Sequence, residues 1–387
     1  MLRRETRVRH ASLLVASGIA FGGIGLGALV VSGAVPRRTA VFVPVPVPVE
    51  IPASPPPVAP APPAGSRRLG EPIKLIAAAS DAPVIAVATT HQVWVSRDGG
   101  ASFARALEGD GNVASLVVEP TGRVYAMRTD SGDRRTTSEL GILETDGTEG
   151  WRQPPGEGYP LDARDGRVVM RATNGIAIGT HAGEVWDRVA ASRDWIPLRT
   201  SVGADGVARF LAARSGGSDQ ALYLLEVRGG GRARVVWSTP FSDGLGAPSE
   251  ITPCAGFAGD RLYMVVRDHD LDPITKRHTG RLFTVHADGH AEARTLVGQV
   301  LNDDGLTCDI AGNDRAAYLS FSTRRIGHET LRIDVAEPRA EAEYMMAFDR
   351  TAVDAHGRLL HVIHGWLGRI SESGRATALL LGSDAPQ

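Results

Sequence analysis

The sequence predicts an all-β fold: a seven-bladed β-propeller preceded by a single N-terminal transmembrane (or signal) helix and a Pro-rich stalk. Three observations support this prediction. A turn-and-strand unit recurs from about residue 72 onwards, 45 glycines and 24 prolines supply abundant turns, and residues 11–35 contain no charge. The formal net charge of −2 gives no reason to expect a nucleic-acid partner. Two cysteines exclude a dense disulfide framework or a Cys-rich zinc site.

The N-terminus carries the signals of export. Residues 1–10 contain four arginines and predict a cytoplasmic basic tail. Residues 11–35 form an apolar run long enough to cross a bilayer, which predicts a transmembrane anchor. Ser32-Gly33-Ala34 also fits a cleavage site, so a signal peptide remains open. We therefore expect a single-pass protein of the cell membrane with its propeller outside the cytoplasm, or a secreted or periplasmic protein after cleavage.

Residues 36–71 are rich in proline, including an alternating Val-Pro run at 43–48. Proline fixes φ and cannot donate to a β-ladder, so the stretch predicts an extended polyproline II linker. Such a helix rises by about 3.1 Å per residue. The segment is therefore expected to act as a semi-rigid stalk that holds the following domain away from the membrane.

The repeated unit is a polar turn followed by an apolar strand, as in Glu119–Met127 and Asp165–Met170. Seven copies can be anchored at positions 83, 123, 167, 220, 261, 315 and 358, which lie 40 to 54 residues apart. Four-stranded propeller blades repeat every 40–50 residues or so. This spacing predicts seven blades over residues 72–382, with a tail at 383–387, and it argues against the alternative of two β-sandwiches.

Both end blades contain four strands of their own. The first is predicted to comprise strands 73–78, 84–89, 93–96 and 103–107, and the last strands 348–355, 358–364, 367–371 and 376–381. We therefore expect the ring to close without a strand shared between the two ends of the chain.

The stretch from Ser96 to Phe103 has the clearest local motif. Ser96, Asp98 and Gly100 are spaced by two residues, and Phe103 follows, which predicts a tight hairpin turn stabilised by side-chain bonds. The pattern resembles the Asp-box (bacterial neuraminidase repeat) of the sialidase-like, sortilin-like and photosystem II assembly factor-like β-propellers. The resemblance implies a fold rather than an activity.

Two further sets of residues are candidate sites. Cys254 and Cys308 each lie seven residues before an anchor arginine, which places them on inner strands of neighbouring blades. A disulfide is plausible in an exported domain, and two buried free thiols are the alternative. Asp268, Asp270 and Asp272 offer oxygen ligands for a metal such as calcium, although a solvated hairpin tip explains them equally simply.

The familiar catalytic signatures are missing from the sequence. The recurring arginines and tyrosines occupy repeat positions, so we expect packing roles for them, no catalytic residue and no cofactor. The sequence therefore predicts a membrane-tethered, non-catalytic binding or scaffold module for a protein or glycan partner in the envelope. A glycoside hydrolase or lyase using the channel, or a purely structural envelope component, are the alternatives. The contact surface is expected on lengthened loops at 129–139, 203–218, 268–281 and 322–330.

Overall fold

The structure, a computed structural model, describes most of the chain from residue 69 to residue 381. The gaps are at 133–134, 156–157, 173–174, 189–194, 215–220, 230, 241–253, 272–277, 297–306, 324–326, 335–338, 345–349, 364 and 371–375. The basic tail, the apolar run, most of the stalk and the C-terminal tail lie outside the described residues. Within the described part, no helix is long and apolar enough to span a membrane.

The described residues form seven four-stranded antiparallel sheets. Blade 1 contains β1 (Leu75–Ala78), β2 (Ile85–Ala88), β3 (Val93–Ser96) and β4 (Ala104–Ala106). Blade 2 contains β5 (Asn112–Val118), β6 (Val124–Gly132), β7 (Arg135–Leu143) and β8 (Glu149–Arg152). Blade 3 contains β9 (Gly158–Arg164), β10 (Arg167–Ala172), β11 (Gly175–Thr180) and β12 (Val185–Arg188). Blade 4 contains β13 (Trp195–Val202), β14 (Val207–Arg214), β15 (Ala221–Arg228) and β16 (Arg234–Pro240).

The last three blades follow the same order. Blade 5 contains β17 (Ala255–Ala258), β18 (Arg261–Leu271), β19 (His278–Val285) and β20 (Ala291–Leu296). Blade 6 contains β21 (Thr307–Gly312), β22 (Ala317–Thr323), β23 (Gly327–Arg332) and β24 (Arg339–Tyr344). Blade 7 contains β25 (Arg350–Val353), β26 (Leu359–Ile363), β27 (Trp366–Ile370) and β28 (Ala376–Leu381).

The blades form a closed ring around their first strands. Each first strand contacts the first strand of the next blade, and β25 contacts β1 in the same way. No sheet mixes strands from the two ends of the described chain. The predicted seven-bladed propeller is confirmed, and so is closure without a shared strand.

The core lies between neighbouring blades because alternate residues of each strand face opposite sides of a sheet. All four residues of β2 are buried, for example, and side chains on its two faces join two different clusters. One cluster combines Ile85 and Trp94 of blade 1 with Leu360 and Leu367 of blade 7. Packing between blades therefore continues across the closure point.

The ring has two unlike ends. What we call the turn face carries the turns from first to second strand and from third to fourth strand. The hairpin face carries the connections from second to third strand and the starts of the first strands.

The predicted position of the fourth repeat, at Gln220, is wrong, because this residue precedes the third strand β15 of its blade and not the second. The turn before β14 is Gly203–Gly206, where Gly206 has φ 69° and the Asp205 carboxylate accepts the Val207 amide at 3.0 Å.

The expectation of lengthened loops is also wrong in large part. Residues 129–132 and 135–139 pair within β6 and β7, and much of 268–281 belongs to β18 and β19. Residues 207–214 form the whole of β14, and β22 and β23 occupy most of 322–330. These segments form hydrogen-bonded hairpins where irregular loops were expected. Their residues tolerate an extended backbone, so the strand pairing continues through them.

Candidate binding surface on the hairpin face

The Ser96–Phe103 turn lies on the turn face and is stabilised from within. The Ser96 hydroxyl donates to Asp98 Oδ1 at 2.7 Å and accepts the Gly100 amide at 2.7 Å. The Ser102 amide donates to Asp98 Oδ1 at 2.9 Å and its hydroxyl donates to Oδ2 at 2.5 Å. These bonds lower the pKa of Asp98 to about 2. The predicted hairpin is therefore present between β3 and β4, with its motif side chains occupied in shaping the turn.

The same turn helps to close the ring. Arg369 on β27 of blade 7 donates to the Gly99 carbonyl, and its guanidinium lies 3.3 Å from Asp354. Arg97 donates to the carbonyls of Glu144 and Thr145 in blade 2. Phe103 packs on the apolar cluster between blades 7 and 1. The motif thus connects blade 1 to both of its neighbours.

The cysteine pair and the aspartate triplet remain predictions. Cys254 is 2% exposed, directly precedes β17 and is disulfide-bonded. The only other cysteine in the sequence is Cys308, on the neighbouring inner strand β21, and its side chain is not described.

Asp268 and Asp270 lie on β18, where the pairing with β19 shifts between Arg267 and Leu271. Their side chains are not described, and Asp272 lies outside the described residues. Among described residues, no group of three or more His, Cys, Asp or Glu side chains could hold a metal ion.

Charged groups around the channel are bonded to one another. Arg164 on β9 lies 3.3 Å from Asp314 of blade 6, three blades further round the ring. The Val202 amide of blade 4 donates to Asp162 at 2.6 Å. Desolvation raises the pKa of Asp162 to about 7, although the amide bonds and Arg164 act in the opposite direction. These contacts fix neighbouring or opposing blades relative to one another.

The turn face contains a second set of inter-blade contacts. Glu119, which is 1% exposed, accepts the Tyr125 hydroxyl at 2.6 Å and the Gly166 amide of blade 3 at 3.0 Å. Arg123 donates to both Glu119 and Glu144. In blade 6, the Tyr318 hydroxyl donates to the Gly357 carbonyl of blade 7 at 2.7 Å. Repeated arginines and tyrosines therefore hold turns and blades together.

The hairpin face is uneven, because two hairpins extend beyond their own sheets. In blade 2, β6 and β7 continue to the pair Gly132–Arg135, three pairs past the start of β5 at Asn112–Thr129. In blade 5, β18 and β19 continue to Leu271–His278, past the described ends of β17 and β20. In the other blades, the described ladder ends within about one pair of the flanking strands. We call these two extensions the projecting hairpins.

Between the projecting hairpins, blades 3 and 4 present an exposed apolar surface. Tyr159 at the start of β9 is 38% exposed, and Ile196 at the start of β13 is 42% exposed. Arg171 donates to the Tyr159 hydroxyl at 3.0 Å and lies 5.9 Å from its ring centre. Trp195 packs edge-on against Tyr223 with ring centres 4.8 Å apart. We call Tyr159, Arg171, Trp195 and Ile196 the blade 3–4 platform.

The platform is suited to contact with a macromolecule. Tyrosine, tryptophan and arginine are the residue types that dominate binding energy at protein interfaces. Their rings and the guanidinium are held in place by one another, so little conformational freedom would be lost on contact. Sequence reasoning missed this surface, because Tyr159 and Ile196 are 37 positions apart and neither lies in a motif.

Comparisons with known proteins agree with the fold. No protein-family model and no curated protein matches the sequence. Among solved structures, the β-propeller domain of the Trilobed protease from Pyrococcus furiosus is similar at a TM-score of 0.55 and 10% identity. The match covers 81% of this chain and 97% of that one, and its description reports an open velcro topology.

Two further structures share the architecture. YCF48 bound to D1 peptide matches at a TM-score of 0.50 and 15% identity, over 78% of this chain and 93% of that one. A chain of the Mitotic Checkpoint Complex matches at a TM-score of 0.50 and 12% identity, over 89% and 98%. At these identities the similarity shows the fold alone. The chain is a seven-bladed β-propeller.

Proposed function

We propose that this protein is a non-catalytic scaffold that binds a protein partner on its hairpin face. We further propose that residues 11–35 and the Pro-rich stalk tether the propeller to the membrane outside the cytoplasm. The form of the Ser96–Phe103 turn supports membership of the Asp-box superfamily, which is part of the same proposal. In this view, the ring is a rigid support and the hairpin face is the working surface.

The observation that carries the proposal is the position of the blade 3–4 platform. Blades 3 and 4 lie between blades 2 and 5 on the ring, so the two projecting hairpins flank the exposed Tyr159 and Ile196. Exposed apolar side chains bordered by two hairpins can hold a peptide segment or the edge of a folded partner. Among the charged groups on the described inner strands, Arg164 pairs with Asp314 and Asp162 accepts the Val202 amide, which favours structural roles for them over catalysis.

Similar structures support a protein partner rather than another ligand. One of them is described as YCF48 bound to D1 peptide, and another belongs to the Mitotic Checkpoint Complex. Both are propellers within protein assemblies. A propeller offers such partners a broad and rigid surface because its loops are fixed on repeated sheets.

Site-specific photo-crosslinking in cells tests this proposal. A photoreactive amino acid replaces Tyr159 or Ile196 in the full chain, and the same amino acid replaces Val185 or Val235 as a control. These valines are 54% and 48% exposed and lie on the outer strands of the same two blades. We expect one discrete crosslinked protein from the platform positions and none from the controls.

Other results would contradict the proposal. Equal crosslinking from all four positions would show non-specific contact, and no crosslinked protein at 159 or 196 would remove the platform as a docking surface. A crosslinked species sensitive to glycosidase but not to protease would replace the protein partner by a glycan. N-terminal sequencing of the membrane fraction tests the anchor, because an intact N-terminus is expected from a tether and a start near residue 35 from a cleaved signal.

A further inference from the structure

A cavity of about 230 Å³ lies between blades 5 and 6 on the turn face, opposite the hairpin face. Arg261 and Tyr263 of β18 line it together with Thr284, His286, Glu292 and Arg294. Leu282 and Ile333 form an apolar part of its wall. The volume is below the 300–1,000 Å³ or so that is typical of drug-sized ligand sites, so it suits one small molecule.

The arginine of the repeat unit lines this cavity in blade 5 and has other roles in other blades. At the start of the second strand, Arg123 binds Glu119 and Glu144, Arg167 donates to the Gly206 carbonyl and Arg358 binds Asp354. Arg261 occupies the same repeat position in blade 5. Within the described part of the chain, Arg261 has no hydrogen-bond or ion-pair partner, and it faces the cavity. Arg315 of blade 6 is likewise exposed and has no side-chain partner among the described residues, so what distinguishes Arg261 is that it lines the cavity.

The tyrosine of the repeat also has different partners in different blades. The hydroxyls of Tyr125 and Tyr318 are bonded to Glu119 and to the Gly357 carbonyl. Tyr263 is 4% exposed and belongs to the apolar cluster between blades 5 and 6, yet its hydroxyl has no partner among the described residues. Because Tyr263 lines the cavity, its hydroxyl can take a partner there. A ligand in the cavity would supply one.

The charged groups around the cavity determine which kind of ligand it can bind. Asp334 in the wall is held by Arg332 at 3.0 Å, and Glu292 at the rim is 66% exposed with His290 at 3.4 Å. Arg294 donates to the Ile333 carbonyl, so Arg261 is the positive group that is left for a ligand. Tyr263 and Thr284 add hydroxyl groups that can bond to a polar ligand body. We propose that this cavity binds a small hydroxylated monocarboxylate, with the carboxylate at Arg261 and a ligand hydroxyl at Tyr263.

Calorimetric titration of the purified full chain tests the proposal. The probe is gluconate, with sorbitol as a neutral compound of the same carbon number and inorganic phosphate as a simple anion. We expect saturable binding of gluconate and none of sorbitol or phosphate. Arg261→Ala should weaken gluconate binding about tenfold or more, because it removes a charge-assisted hydrogen bond.

Two matched variants separate binding from folding. Arg315→Ala removes the exposed arginine at the same repeat position in blade 6, outside the cavity, and should leave gluconate binding unchanged. Tyr263→Phe should weaken binding several-fold without lowering the melting temperature, whereas Tyr318→Phe should lower it by removing the bond to Gly357. Equal binding of sorbitol or phosphate, no binding of gluconate, or equal effects of Arg261→Ala and Arg315→Ala would overturn the proposal.

Discussion

The buried Glu119 carboxylate bonds two side chains of its own blade and one amide of blade 3, and its removal makes a quantitative prediction. It accepts the Tyr125 hydroxyl at 2.6 Å, the Gly166 amide at 3.0 Å and Arg123 at 3.3 Å. Burial and the Glu119 charge both raise the pKa of Tyr125, so its hydroxyl remains a donor at neutral pH. Glu119→Ala removes the acceptor from all three groups at once.

The expected cost follows from burial. A hydrogen bond to a charged acceptor contributes about 1.5–3 kcal/mol, and a buried group left without a partner costs about 1–3 kcal/mol. Tyr125 is fully buried, and Arg123 keeps its second partner Glu144. The desolvation of the buried Glu119 is relieved at the same time, which offsets part of the loss. We expect Glu119→Ala to lower the free energy of unfolding by about 3–5 kcal/mol.

Urea denaturation of matched variants provides the assay. Glu144→Ala is the control, because Glu144 is 35% exposed and a surface ion pair is worth only about 0.5–1 kcal/mol. Combining Glu119→Ala with Tyr125→Phe should cost less than the sum of the two, by about 1 kcal/mol. If Glu119→Ala cost no more than Glu144→Ala, or if the double variant were strictly additive, the hydrogen bonds of the buried Glu119 carboxylate would not be the source of stability.

Three further substitutions should each change stability in a different way. Because the pKa of Asp162 is raised to about 7, its contribution to stability should fall as pH rises from about 4 to 7, so the melting temperature of the wild type minus that of Asp162→Asn should fall over that range, whereas buried His361, whose pKa is lowered to about 3, adds the opposite slope to both proteins. Because the pKa of Asp98 is lowered to about 2, stability should fall as pH drops from about 4 to 2, and Asp98→Asn should reduce that slope, to which Glu71 with a similarly lowered pKa also contributes. Gly256→Ala would overlap the Ile310 carbonyl on the next inner strand, so chemical denaturation should show a loss of about 2–3 kcal/mol, against about 0.5 kcal/mol or less for Gly70→Ala in open space.

The architecture could be predicted because each blade repeats one strongly patterned unit. Strands Val93–Ser96 and Ala376–Leu381 occur where the sequence predicts them, and the remaining end-blade strands differ by a few residues at their ends. The position of the fourth repeat was predicted wrongly because the polar stretch before Ala221 resembles the turn that precedes a second strand. Only the pairing of Val207–Ala213 with the residues after it shows that Ala221 begins a third strand.

The candidate site could not be predicted from the sequence, and here the reason is different. Contacts such as Glu119 with Gly166 or Asp162 with Val202 join residues 40 or more positions apart, and no pattern in either segment identifies its partner. The same holds for the platform, where Tyr159 and Ile196 lie 37 positions apart at the starts of the first strands of neighbouring blades. A repeat position can be recognised from sequence, as for Arg261, but the absence of its usual partner can be recognised only in the structure.

The uneven height of the hairpin face restricts where a partner can bind. In blade 1, β2 and β3 have four residues each, whereas β6 has nine and β18 has eleven. At about 3.3 Å per residue, these strands differ in length by roughly 15 Å or more. Blades 2 and 5 therefore border the platform on both sides, while blade 1 stands low. A partner seated against both projecting hairpins would cover blades 3 and 4, which leaves the cavity between blades 5 and 6 on the opposite face free to bind its ligand at the same time.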